Sequence, residues 1–157
     1  MPKLTIIVGL PAAGKSTYVK DNFPKLRPEN NFDDYHYEAK DGSPFFEKSK
    51  HYLPLVRAMI RGEDCVMSDV EWCKKEKRAI VEANLKEIED VFNVKIEKNF
   101  IYFENNPEAC KKNVPNRPGR NHQEEIRKIT TLTKDYSIPN GMTTIPVRTK
   151  DDKANGR

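Results

Sequence analysis

The chain has 157 residues, 36% of them hydrophobic and 33% charged, with 28 basic against 24 acidic side chains and a net charge of +4. That length suits one domain with one sizeable core, and the charge is compatible with an anionic ligand without requiring one. No apolar run approaches membrane-spanning length, and a strand-like run starts almost at the first residue, so neither a membrane anchor nor a signal peptide is expected.

Lys3–Val8 is apolar and β-branched without alternation, which predicts a strand buried on both faces. Gly9-Leu10-Pro11-Ala12-Ala13-Gly14-Lys15-Ser16-Thr17 comes next, and a helix is expected from about Gly14 to just before Pro24. The spacing Gly9-x-x-x-x-Gly14-Lys15-Ser16 is the phosphate-binding P-loop pattern, here in its confirming setting between a strand and a helix. Glycines let such a loop curl until several backbone N–H groups point at one anion, and the helix adds its positive end. Gly9, Pro11, Ala12, Ala13, Gly14, Lys15, Ser16 and Thr17 form the expected cradle for a triphosphate such as ATP. Lys15 supplies a mobile charge for the β and γ phosphates, and Ser16 offers a hydroxyl to Mg²⁺.

A polar, Pro-containing connection leads to a short second strand ending near Phe32, with Asp33 at its carboxyl end. A helix is expected over 44–61, capped by Ser43 and either kinked or split at Pro54, with Gly62 as its stop. Cys65–Asp69 reads as a third buried strand with an acidic tip. Val81, Leu85, Ile88 and Phe92 form an apolar stripe on a helix from about Cys73 to Asp90. Lys98–Phe103 is the fourth strand, and Asn106-Pro107 opens a helix running to about Asn113. The stretch 114–121 reads as irregular. A helix over His122–Asp135 should turn Ile126, Ile129 and Leu132 inward, and 143–147 is a candidate fifth strand. One domain over 1–149 is expected, with a polar, frayed tail over 150–157. Cys65, Cys73 and Cys110 have no metal-type spacing and read as reduced thiols, which suggests a cytoplasmic setting.

Strands alternating with helices predict an α/β fold: a parallel sheet of four to five strands with helices on both faces. Ligands of such sheets sit beyond the carboxyl ends of the strands. The Gly9–Thr17 loop, Asp33 and Asp69 should therefore meet at one cleft. Asp33 is placed to take a proton from an acceptor hydroxyl, with Asp34 a cap or support. Asp69 ends its strand as a Walker-B-like aspartate does and could hold Mg²⁺ or touch the acceptor. His36, Asp69 and Glu71 are the expected acceptor-side residues beside Asp33. Arg117 and Arg120 flank a Pro-Gly turn between two helices, a basic lid that can bring charge to a transferring phosphoryl group. His51 and His122 read as surface groups.

On these residues the chain resembles the P-loop kinase domain of polynucleotide 5′-kinases, the phage end-repair type in particular, from about Lys3 to Tyr136. The matching stretches are Gly9–Thr17, Asp33-Asp34-Tyr35, Met67-Ser68-Asp69, and Arg117 followed by Arg120. The resemblance implies a three-layer P-loop kinase fold and ATP- and Mg²⁺-dependent phosphorylation of a nucleic-acid 5′-hydroxyl. In it Asp33 would match the general base, Lys15 and Ser16 the phosphate and metal contacts, and Arg117 the lid arginine. The departures fall on the acceptor side. His36 stands where the family has an arginine, Val70 and Glu71 replace small polar residues, and Asn113 replaces a second lid arginine. Three functions stay open: a kinase of a nucleic-acid 5′-hydroxyl or of a hydroxyl on a modified base; a kinase of a nucleoside, sugar or other metabolite; and a non-catalytic ATP-binding module. Oligomeric state is not legible.

Overall fold

The computed structural model describes residues 1–33 and 53–150. The expectations for Asp34, Tyr35, His36, His51, the 44–52 part of the second helix and the tail from Asp151 lie outside the described residues.

Five strands form one parallel sheet in the order β2-β3-β1-β4-β5: β1 Lys3–Val8, β2 Asn31–Asp33, β3 Cys65–Ser68, β4 Glu97–Phe103 and β5 Thr144–Ile145. The connections are helical: α1 Lys15–Asn22, α2 Leu53–Ile60, α3 Lys75–Phe92, α4 Pro107–Asn113 and α5 His122–Asp135. The α/β expectation and the parallel sheet are therefore observed. β1 lies in the middle, paired with β3 from Leu4↔Cys65 to Ile7↔Ser68 and with β4 from Lys3↔Glu97 to Val8↔Tyr102. Its Leu4, Ile6, Ile7 and Val8 are fully buried, each worth about 1.5–3 kcal/mol of apolar transfer.

Successive residues of a strand point to opposite faces, and β4 shows what covers each. The Tyr102 ring lies under the Arg78 guanidinium of α3 at 5.3 Å, whereas the Phe103 ring meets Tyr18 of α1 edge-on at 5.8 Å. Helices thus pack on both faces.

Several boundaries differ from the sequence expectation for identifiable reasons. Pro28–Asn30 forms a 3-10 turn inside the polar connection, with proline at its start. Pro54 lies within α2, whose described residues are Leu53–Ile60. The helix expected from Cys73 starts at Lys75, because Val70–Cys73 forms a 3-10 turn capped by Asp69. Its apolar stripe is buried at Val81, Leu85 and Ile88 but stops there, and Phe92 is 39% exposed. Eighteen helical residues span roughly 27 Å against roughly 20 Å for the six of β1, so the last turn overshoots the sheet. Val114–Asn116 is a further 3-10 turn in the stretch expected to be irregular. β5 pairs over two residues only, since Pro146 has no N–H to continue the ladder. In α5, Ile129 and Leu132 face inward as expected, but Ile126 is 39% exposed and Glu125 is buried in its stead. Among the described residues no helix is long and apolar enough to cross a membrane.

Candidate functional site

The carboxyl end of β1 runs into a tight loop. A Cβ on Gly9 would stand 3.1 Å from the Phe103 Cβ and 3.4 Å from the Ala13 Cβ, a tight approach that favours glycine at this crossing. Ala12 and Gly14 both have positive φ, 63° and 104°. Glycine adopts that conformation freely, and alanine does so at roughly 1–2 kcal/mol. Ala13 N–H donates to the Leu10 carbonyl at 3.2 Å, and Tyr18 N–H to that of Gly14 at 2.9 Å, which closes the loop and starts α1. Lys15 is buried, and its Nζ donates to the carbonyls of Gly9 at 3.0 Å and Leu10 at 2.9 Å. Ser16 and Thr17 are exposed in the first turn.

The loop forms one wall of a cleft of about 960 Å³, large enough for a nucleotide. Pro11 to Thr17 line it, and so do Arg117 and Arg120 from the α4–α5 connection. The sequence thus named both groups. Arg117 is fixed along its backbone: its N–H donates to the Val114 carbonyl at 3.1 Å, and its own carbonyl accepts from His122 Nε2 at 3.1 Å. His122, expected to be a surface group, is exposed but ties the start of α5 to this arginine.

The acidic tips are arranged differently from one another. Asp33 ends β2 in register with Ser68, one residue before Asp69, so the ends of β2, β3 and β1 lie side by side. Asp69 is 3% exposed, and its Oδ1 accepts the Glu71 N–H at 2.9 Å. Val70, not Asp69, lines the described cleft. Geometry therefore gives Asp69 a capping role at the head of the 3-10 turn. Glu71 is half-buried and pairs with Lys74 at 3.3 Å.

Two further side chains hold the site together. Asn113 Nδ2 donates to the Ala12 carbonyl at 3.1 Å and to the Arg148 carbonyl at 2.9 Å, joining the loop, the end of α4 and the segment after β5. Glu125, 8% exposed, lies 3.7 Å from Arg117 Nη1 and 3.9 Å from Arg120 Nε through Oε1. The phase of the α5 stripe could have found it: 125, 129, 132 and 136 share one face, and Ile129, Leu132 and Tyr136 are all buried. The Tyr136 hydroxyl donates to the carbonyl of Phe103 and lies 3.4 Å from that of Val8, fastening α5 to the strand ends behind the site.

The cysteines are buried and have no disulfide partners among the described residues; burial pushes Cys73 up to about 12 and Cys110 up to about 11, which makes them poor nucleophiles.

As a test of fit for Mg²⁺, Ser16 is an exposed residue in the first turn of α1 and lines the cleft together with Lys15. Its hydroxyl suits a hard ion that keeps most of its water and takes phosphate oxygens.

Comparison with protein-family models and with curated proteins finds no match.

Proposed function

We propose that the cleft binds ATP and that the protein is a P-loop kinase, moving the γ-phosphoryl group to an acceptor hydroxyl. One observation carries this reading. A loop with two left-handed residues leaves the central strand, starts a helix, and lines a nucleotide-sized cleft together with two arginines. Such a loop turns successive backbone N–H groups to one side, and a helix N-terminus adds to their field.

In this reading the Lys15 ammonium exchanges the carbonyls of Gly9 and Leu10 for phosphate oxygens when ATP enters. The Ser16 hydroxyl would hold Mg²⁺, which would supply positive charge against the β and γ phosphates. Asp33 accepts the proton of the acceptor hydroxyl, whose oxygen forms the new bond to γ-phosphorus. The bond from γ-phosphorus to the bridging oxygen breaks, and ADP leaves with that electron pair. Arg117 and Arg120 stabilise the charge that develops. Asp69, through the Glu71 N–H, fixes the wall that ends in Val70.

The acceptor we favour is a hydroxyl of nucleic acid, a 5′ end or a modified base, on the sequence resemblance at Asp33 and Asp69. A second reading, a small-molecule kinase, draws on Val70. It is apolar and lines the cleft where the resembling family has a small polar residue. The test is transfer of label from γ-labelled ATP to a 5′-hydroxyl oligonucleotide, to duplex DNA with hydroxylated bases, or to nucleosides and sugars. Label on one class is expected, and Asp33→Asn should lower turnover by about 10²–10⁴ with ATP affinity nearly unchanged. ATP binding with no transfer to any acceptor would leave a binding module; no ATP binding would refute the assignment.

A further inference from the structure

We infer that Glu125 is a positioning residue that gathers Arg117 and Arg120 at the cleft and presents them to the phosphates; this rests on the kinase reading above. Two guanidinium groups repel each other, and a carboxylate between them offsets that repulsion. Both here approach the same carboxylate oxygen, Oε1, at 3.7 and 3.9 Å. The carboxylate is itself well placed. It sits in the first turn of α5, where the helix dipole favours negative charge, and its N–H is held by the Asn121 carbonyl at 3.0 Å. A buried acid on the wall of an anion site would otherwise oppose binding.

Oε2 is buried and has no hydrogen-bond partner among the described residues. Buried carboxylate oxygens rarely stay unpaired. The two ion-pair distances exceed hydrogen-bond length, so the arrangement has a closer form available. In that form Arg117 engages both oxygens side by side. A guanidinium has five N–H donors. Two given to Glu125 leave three for phosphate oxygens, with the plane of the group fixed. Glu125 touches neither substrate in this scheme and acts through Arg117 and Arg120.

The experiment compares wild type with Glu125→Gln and Glu125→Asp. It measures Tm, calorimetric affinity for Mg·ADP, and turnover of γ-labelled ATP, to the acceptor or to water. Glu125→Gln should lower kcat about 10- to 100-fold through misaimed arginines while KM for ATP and the Mg·ADP affinity move less than about threefold. Glu125→Asp should recover part of the loss. In an Arg117→Ala/Arg120→Ala background, Glu125→Gln should change kcat no further. Unchanged kcat in Glu125→Gln, a loss confined to Tm, or an equal loss in the arginine-free background overturns this inference alone. A wild-type protein that binds neither ATP nor Mg·ADP overturns the kinase reading and this inference with it.

Discussion

Asn113 offers the sharpest test of how the loop is held. Its amide makes two hydrogen bonds, to the Ala12 carbonyl at 3.1 Å and the Arg148 carbonyl at 2.9 Å. Each is worth about 0.5–1.5 kcal/mol net, so Asn113→Ala removes about 2 kcal/mol in total. For a chain of this size that is roughly 4–8 °C in Tm. Only the Ala12 bond bears on the loop, so nucleotide affinity should fall by the corresponding roughly 2- to 12-fold. Ala12 also holds a φ of 63°, which favours glycine. Ala12→Gly lets the loop reach that conformation without the amide's help, so the affinity penalty of Asn113→Ala should shrink in the Ala12→Gly background. Calorimetry with Mg·ATP on the four proteins of this cycle, beside their melting curves, reads both quantities. An Asn113→Ala protein that melts and binds like wild type would refute the staple. Strictly additive substitutions would refute its coupling to the Ala12 backbone.

Lys15→Ala should abolish phosphoryl transfer while circular dichroism and melting show a folded protein; surviving transfer would remove Lys15 from the mechanism. Tyr136→Phe leaves the Phe103 carbonyl without its buried hydroxyl donor and should lower stability by about 1–3 kcal/mol, measured by urea unfolding. The Arg61 guanidinium, then the Asn30 amide, hydrogen-bonds Glu63 and lowers its carboxyl from the ordinary 4.5 to about 2. A folded-state value below the unfolded one gives stability that is complete above pH 4.5 and lost as pH falls towards 2. Tm followed from pH 6 to pH 2 should therefore drop less steeply in Glu63→Gln than in wild type, and parallel curves would contradict the assignment.

What the sequence made legible was local. Lys3–Val8 announces a central strand because burial on both faces removes alternation. Val81, Leu85 and Ile88 announce their helix, and Asn106 its cap, because periodicity and capping chemistry act within a few residues. The pairing of the Gly9–Thr17 loop with Arg117 and Arg120 was legible because each is marked by residue type. Strand order was not: alternation of strands and helices implies parallel pairing but not which strands are neighbours. Asn113 escaped because its partner Ala12 is 101 residues away, and an amide carries no signal of its own at that range. Glu125 escaped because an acidic residue near a helix start reads as a dipole partner on the surface. Its phase with Ile129 and Leu132 on the inner face of α5 points the other way, towards burial. Asp69, expected to hold metal or touch the acceptor, also caps the turn that follows, its Oδ1 accepting the Glu71 N–H.

The order β2-β3-β1-β4-β5 bears on how the polypeptide is made. The first strand synthesised is flanked by the third and the fourth, and its register with β4 joins Lys3 to Glu97 and Val8 to Tyr102. A nascent chain on the ribosome therefore carries β1 with one side unsatisfied until nearly two-thirds of the polypeptide has emerged. During that interval the most apolar segment of the protein is open to pairing with a neighbouring chain. Fragments ending before Glu97 should aggregate more than fragments that extend past Phe103.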